Sequence, residues 1–142
     1  MKEVTIDNRM MENIVLFERL ARTEVKEYLE NEDMIVYVVG EKRIGEIFKH
    51  GGDLVARLRE KTGKHILMAE QSRDLLTFVR NLLIRFGIKE IYITWKEGLT
   101  EIQVVVEQEG IGKVIGKEGR NIKLFRDTIQ RFFPIKNISV KQ

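Results

Sequence analysis

Gly116 and Gly119, two glycines separated by two residues, have the type and spacing that indicate a chemical role. They bracket Lys117 and Glu118 between two segments of helical pattern. A chain that leaves one helix and at once begins another needs unusual backbone angles, which glycine adopts readily. Without Cβ atoms, such a loop also lets a phosphate group approach its amides and the first turn of the next helix.

The residues around this loop suit the same ligand. Positive charge is supplied by four basic residues, Lys113, Lys117, Arg120 and Lys123. Ile115 provides an apolar floor for bases, and Glu118 is unfavourable beside phosphate, so we expect its side chain to point to solvent. These groups predict a site that clamps a short stretch of single-stranded nucleic acid.

Two other glycine motifs do not fit. A P-loop requires GxxxxGK[ST], but five residues separate Gly110 from Gly116, and Glu118 occupies the Ser/Thr position. The dinucleotide fingerprint GxGxxG begins at Gly110 but is broken at Ile115. Neither motif therefore predicts nucleotide binding.

The chain contains an internal repeat at an offset of 67 residues. The segment that begins at Gly45 aligns with the one that begins at Gly112, and Gly52 then matches Gly119. Lys49 stands opposite Gly116, so the first copy lacks one of the two loop glycines. The loop of the first copy comprises Lys49, His50, Gly51 and Gly52. It is either a weakened binding site or only a structural turn.

The elements around the two loops repeat as well. The first copy is predicted to contain a helix with Met10, Ile14, Phe17 and Ala21 on one face, strands at 25–29 and 34–39, a short helix before the loop, a helix from about Asp53 to Thr62, and a strand at 65–69. The second copy is predicted to contain a helix with Leu75, Val79, Leu82 and Phe86 on one face, strands at 88–95 and 99–107, a short helix, a helix with Ile122, Phe125, Ile129 and Phe132 on one face, and a strand at 135–140. Asp7 and Ser72 are predicted to cap the two initial helices. Only Glu70 and Gln71 separate the copies, so we expect modules at 1–70 and 71–142 that pack as a rigid pair.

The amino-acid composition limits the kinds of protein that this chain can be. Hydrophobic residues make up 43% and charged residues 33%, which is enough for a packed core. The halves carry net charges of −2 and +5, which suits a polyanion on the second half, although a merely solvated surface would look the same. With no cysteine, no long apolar run and no signal peptide, we expect a cytoplasmic protein without disulfides, thiolate metal sites or membrane contact.

The types and spacing of the residues do not indicate a catalytic site. The two histidines, His50 and His65, are predicted to have surface or strand roles rather than to bind metal. Trp95 precedes a turn and is predicted to pack the end of a hairpin rather than to stack on a base. We therefore expect no enzyme activity, no cofactor, no metal and no small-molecule substrate.

The stretch Val114–Ile122 resembles the core motif of KH domains, (V/I)IGxxGxxI. The helix-first order of elements resembles the type II KH fold, and two abutting modules of this type resemble the archaeal NusA family of transcription factors. The resemblance covers nearly the whole chain, with a specific motif in the second module and a degenerate one in the first. It implies an α+β fold with a three-stranded sheet in each module and helices on one face.

The resemblance also implies a function. RNA would bind beside the loop at Gly116, Lys117, Glu118 and Gly119, and the first module would use Lys49, His50, Gly51 and Gly52. The expected partner is single-stranded RNA, in transcription elongation or termination. Bacterial NusA carries a polymerase-binding domain and an oligonucleotide-binding barrel that we do not expect in this sequence, so contact with RNA polymerase stays open. Two alternatives are a KH protein of ribosome assembly or RNA decay, and a protein-interaction adaptor that has lost RNA binding.

Overall fold

The structure is a computed structural model, and it describes residues 7–49 and 52–142. The elements of the first half are α1 (Asn8–Ala21), β1 (Val25–Glu30), β2 (Met34–Val39), α2 (Ile44–Lys49), α3 (Leu54–Thr62) and β3 (His65–Glu70). Those of the second half are α4 (Leu75–Leu83), a 3-10 turn (Ile84–Phe86), β4 (Ile88–Lys96), β5 (Leu99–Val106), α5 (Gln108–Ile115), a second 3-10 turn (Lys117–Gly119), α6 (Arg120–Gln130) and β6 (Ile135–Lys141). The predicted order of elements is confirmed in both halves.

The first helix begins and ends as its sequence predicts. The Asp7 carboxylate accepts a hydrogen bond of 2.8 Å from the backbone N–H of Met10, which is the contact of an N-cap. Phe17 and Ala21 are buried on the face that packs against the sheet. The initial helix of the second half differs from the prediction. Its N-cap is Asp74 rather than Ser72, because the Asp74 carboxylate accepts from the N–H and hydroxyl of Thr77.

Each half forms a three-stranded mixed sheet. In the first, β1 pairs antiparallel with β2 and β2 pairs parallel with β3; in the second, β4, β5 and β6 pair in the same way. Both edge strands that begin the sheets carry an irregularity near their start, between Val25 and Glu27 and between Ile88 and Glu90. The two sheets are thus the same structure repeated, and the predicted α+β class with two KH-like modules is confirmed.

The first sheet is covered on both faces. Along β2, Ile35, Tyr37 and Val39 contact the core formed with α1, α2 and α3. The alternate residues, Val36 and Val38 among them, belong to a second core that contains residues of α4 and α6. The helices of the second module therefore lie between the two sheets. The prediction of helices on one face holds for each module's own helices, and the far face of the first sheet is covered by the other module.

Tyrosine hydroxyls inside the first module are satisfied locally. The Tyr28 hydroxyl accepts a hydrogen bond of 2.9 Å from the Asn13 side chain, and the Tyr37 hydroxyl donates one of 3.1 Å to the Asn13 carbonyl. Burial raises the pKa of Tyr28 to about 12. Asn13 therefore attaches α1 to β1 and β2, which fixes the helical layer on the first sheet.

The second sheet exposes its outer face, and its hairpin extends into solvent. Trp95 is 79% exposed, so the prediction that it packs the end of the hairpin is wrong. Phe132 lies beyond the end of α6 and is only partly buried, although its ring is 5.1 Å from that of Phe78. Within residues 7–49 and 52–142, no helix combines the length and apolar character needed to span a bilayer.

Candidate nucleic-acid interface

The loop between α5 and α6 has a backbone that only its glycines explain. Gly116 has φ 74° and ψ 172°, a region that is essentially reserved for glycine. A Cβ atom built on Gly116 would lie 2.7 Å from Cγ of Asn121 and 2.9 Å from its backbone nitrogen. Both the dihedral angles and the space therefore require glycine at this position.

The next residues reverse the chain into α6. Glu118 has φ 58° and Gly119 has φ 74°, so two consecutive residues adopt the left-handed conformation. The Gly119 N–H donates a hydrogen bond of 3.2 Å to the carbonyl of Gly116, which closes the turn. The Glu118 side chain is 74% exposed, as predicted. Because Gly119 occupies the N-cap of α6 and has no side chain, the first amides of this helix have no side-chain cap.

Asn121 fastens the two ends of the loop together. Its side-chain amide donates to the Lys113 carbonyl at 3.0 Å, and its side-chain oxygen accepts from Asn31 of the first module at 3.0 Å. Asn31 also donates to the carbonyl of Arg120 at 3.2 Å. Asn121 was not predicted from the sequence, although a polar residue two positions after the second loop glycine was a signal for it.

The predicted basic residues divide into two groups. Lys113, Lys117 and Lys123 are exposed around the loop. Arg120 forms an inter-module contact, since its guanidinium lies 2.8 Å from the Glu32 carboxylate and 3.6 Å from that of Asp33. These ion pairs hold the β1–β2 turn against the loop. Ile115 is partly buried at the end of α5, directly before Gly116.

The first module does not reproduce this backbone at the equivalent position. Lys49 is the last residue of α2 and is exposed, whereas its counterpart Gly116 lies outside α5 in the glycine-only region. A lysine would be strained in that region, so the helix continues through Lys49. Gly52 is exposed, and a Cβ atom built on it would meet nothing within 4 Å. His50 and Gly51 lie outside the described residues.

A basic cleft begins beside the second loop and runs between the modules. Its volume is about 460 Å³, and its polar lining is Arg59, His65, Arg85, Lys113 and Asn121. Apolar side chains from both modules, such as Val55 and Phe86, form part of its floor. Arg85 donates to the carbonyl of Ile66 at 3.0 Å, which fixes this guanidinium against β3.

A second cleft of about 350 Å³ continues along β3 toward the first loop. Arg85 lines both clefts, and Met68 and Glu70 of β3 line the second one. Phe48 and Ile84 are 45% and 64% exposed at this cleft, which is an unusual exposure for apolar side chains. The two clefts together connect Lys113 at the second loop with Phe48, the neighbour of Lys49, at the first.

Among the described residues, no group of three or more His, Asp or Glu side chains is placed to hold a metal ion. His65 is exposed at the start of β3 and lines the first cleft. Side-chain exposure and positive charge, rather than titratable groups held together, characterise this surface.

Known proteins are similar to this chain in sequence and in fold. The family model described as NusA-like second KH domain matches residues 75–142. A probable transcription termination protein NusA of Thermoplasma acidophilum is 55% identical over 142 residues, covering 100% of this chain and 99% of that protein. The protein of the same description in Methanococcus vannielii is 30% identical over 127 residues, covering 89% of this chain and 73% of that protein. The crystal structure of APE1850 superimposes with a TM-score of 0.67 at 26% identity, covering 96% of this chain and 100% of that one. The matched family model includes the whole of the loop from Gly116 to Gly119.

Proposed function

Since the chain belongs to the archaeal NusA family of transcription termination proteins, we propose that it acts in transcription elongation or termination by binding single-stranded RNA. The observation that carries the proposal is the loop Gly116–Gly119, whose left-handed backbone ends at Gly119, so that no side chain caps the first turn of α6. Uncapped amides at a helix N-terminus are a site for phosphate. The division into modules at 1–70 and 71–142 is part of the proposal.

In this proposal each group has its own task. The amides of the loop and of the first turn of α6 hold phosphate oxygens, apart from those of Gly116, Gly119 and Arg120, which donate to carbonyls of the chain. Charge is added by Lys113, Lys117 and Lys123. Ile115 and the apolar floor of the first cleft receive bases that are splayed out of a stack. Arg120 acts indirectly, because its pair with Glu32 holds the loop against the first module. The mechanism is binding without a chemical step.

The two clefts along β3 indicate the path of the RNA over the protein surface. A strand that leaves the second loop passes Lys113 and Arg85 and arrives at Phe48 and Lys49. The second module dominates short oligomers, because it alone has glycine at both loop positions. A longer oligomer gains affinity by reaching the first module, since its second contact is intramolecular. About four nucleotides per module are expected.

An adaptor function is the second candidate, and the observation that favours it is the helical Lys49 in place of a glycine. A protein that binds only protein partners need show no salt-dependent RNA affinity. A single-strand site that neutralises about three or four phosphates should show a slope of log K against log salt of roughly −2 to −3. A slope near zero would favour the adaptor.

Competition between single strand and duplex tests the proposal. A labelled unstructured RNA of about eight nucleotides, sized for two modules, is displaced with the same unlabelled strand or with a perfect hairpin stem. We expect the single strand to compete much better, because an A-form duplex hides its base edges in a deep, narrow groove. Equal or better competition by the stem would contradict the proposed groove.

A further inference from the structure

The strand β4 is an exposed edge of the second sheet, in which the strand order is β4-β5-β6. Tyr92 is 47%, Ile93 39% and Trp95 79% exposed. A long edge strand with exposed apolar side chains is a template for pairing with another strand. The exposure of Trp95, unexplained by the proposed RNA site, belongs to this edge.

The hairpin between β4 and β5 determines which backbone groups of β4 are unpaired. Its two-residue turn has φ 55° at Glu97 and φ 78° at Gly98, and the strand pairing closes at Lys96. In such a hairpin the closing pair exchanges both hydrogen bonds, and paired and unpaired residues alternate from there. The N–H and C=O groups of the alternate residues therefore point to the free edge, and these are Ile91, Ile93 and Trp95.

Charge selects one register for pairing two copies of this edge. In an antiparallel pair, side chains of directly opposite residues lie on the same face of the sheet. When a strand pairs with its own copy, the twofold axis must therefore pass through a residue rather than between two residues. With the axis at Ile93, Glu90 lies opposite Lys96 of the second copy. With the axis at any neighbouring residue of the strand, Glu90 does not lie opposite a lysine. Only the register at Ile93 pairs these two regularly placed charges of β4, since Lys89 lies in the bulge and Glu97 in the turn.

The apolar side chains fit the same register. Ile93 pairs with Ile102 of β5, whose side chain is in the core, so Ile91, Ile93 and Trp95 share the face on which the helices pack. In the Ile93-centred register, Trp95 lies directly opposite Ile91 of the second copy, an aromatic and β-branched pair that stabilises sheets. In this register, the hydrogen bonds between the two copies are formed by the N–H and C=O groups of Ile91, Ile93 and Trp95, which point to the free edge.

The existing contacts of the charged residues allow Glu90 to pair with Lys96 of a second copy. Lys89 keeps its ion pair with Glu107, which is 3.4 Å away, and Glu90 accepts a hydrogen bond from the Tyr92 hydroxyl at the surface. An exposed contact of this kind contributes little free energy, so replacing it with the cross-strand pair costs little.

We propose that two copies of this chain associate through β4, antiparallel and centred on Ile93, into a continuous six-stranded sheet. None of the residues of β4 lines either of the two clefts of the proposed RNA path. RNA binding and self-association are therefore separable, and the proposal does not depend on the RNA site.

Charge reversal tests the register. Sedimentation equilibrium of the full chain, from about 5 μM to about 0.5 mM, should show a monomer–dimer equilibrium. Glu90→Lys places two lysines opposite each other at two symmetric positions, and Lys96→Glu does the same with carboxylates, so each should raise the dimer Kd by about tenfold or more. The double variant, which restores opposite charges, should restore the wild-type Kd. A monomer throughout the range, or a double variant as weak as the singles, would overturn the proposal.

A cysteine at the axis gives a second, independent measurement. The chain has no cysteine, so Ile93→Cys creates a single thiol that meets its own copy across the axis. At about 5.5 Å between Cα atoms, a hydrogen-bonded pair is within disulfide range. Oxidation should give a covalent dimer, whereas Gln103→Cys, on the middle strand of the same sheet, should not. Equal cross-linking of both variants, or none with Ile93→Cys, would contradict the register, and circular dichroism checks that each variant is folded.

Discussion

The guanidinium of Arg120 lies 2.8 Å from the carboxylate of Glu32, so the residue that follows the second loop is ion-paired with the β1–β2 turn of the first module. Asn31 of the same turn donates to the Arg120 carbonyl and to Asn121. The first module thus shapes the loop of the second, and it also places a carboxylate beside the proposed phosphate site.

Removing this carboxylate should affect RNA more than stability. Glu32→Gln removes the shortest ion pair of Arg120, which stays near Asp33 and Glu118, and it removes a negative charge near the loop. We therefore expect RNA affinity to rise about two- to threefold, and the free energy of unfolding to fall by less than about 1 kcal/mol. Fluorescence anisotropy and urea unfolding measure the two effects.

Glu27→Gln is the matched control for that substitution. Glu27 lies 2.9 Å from Arg131, which is also an ion pair between the modules, but it is in the first half of β1, four residues before Asn31. We expect a similar small loss of stability with unchanged RNA affinity. A gain in affinity from Glu27→Gln equal to that from Glu32→Gln would show that net charge alone, rather than the site of the carboxylate, is responsible.

Two glycines of the same motif should respond differently to alanine. Gly116→Ala introduces a strained backbone and a contact of 2.7 Å with Asn121, so we expect a loss of about 2–3 kcal/mol in unfolding free energy and a large loss of RNA affinity. Gly112→Ala lies within α5, where a Cβ atom meets nothing within 4 Å, and should be neutral or stabilise by up to about 1 kcal/mol. Equal effects of the two substitutions would contradict the geometry of the loop.

The two modules should unfold together. Val38 is fully buried and belongs to the core that contains α4 and α6, although it lies on a strand of the first module. We expect Val38→Ala to lower the unfolding free energy by about 1–3 kcal/mol, in one transition with an unchanged denaturant m-value. A biphasic unfolding curve, with only the first phase shifted, would show that the modules are energetically independent.

The path along β3 predicts a dependence on RNA length. Lys49→Glu reverses a charge at the distant end of the second cleft, so we expect several-fold weaker binding of an RNA of about eight nucleotides. Binding of an RNA of about four nucleotides should not change, since it occupies the second loop alone. Lys26→Glu, on the opposite edge strand of the first sheet, serves as the charge-matched control. An equal loss at both lengths would place Lys49 on a different path.

The local structure of this protein could be predicted from sequence where strong signals coincide. The bounds of β2 were predicted correctly at 34–39, because an apolar run follows the turn Asn31–Asp33. The cap of α4 was placed two residues early because Ser72 and Asp74 are both capping residues, and only the observed bond to Thr77 separates them. Local propensity predicts which elements form, but it does not choose between equivalent capping residues.

Contacts between the modules were harder to predict. The strand β2 is apolar at every position, which is typical of a strand buried on both faces, yet no local pattern shows that the second cover comes from α4 and α6. Arg120 was predicted near phosphate from its distance along the chain to Gly119, whereas its partner Glu32 is 88 positions away and only tertiary packing brings it close.

The most direct test of the central claim is RNA affinity after Lys117→Asp and Glu118→Asp are combined. Aspartate tolerates the left-handed conformation at 118 better than most residues, so the loop backbone should survive while the charge of the loop changes by −2. With an unchanged circular dichroism spectrum, we expect a loss of affinity of about tenfold or more for single-stranded RNA. Lys26→Asp, which carries the same change in charge far from the loop, should stay near the wild-type affinity. Wild-type affinity in the folded double variant would show that the loop at Gly116–Gly119 is not the RNA site.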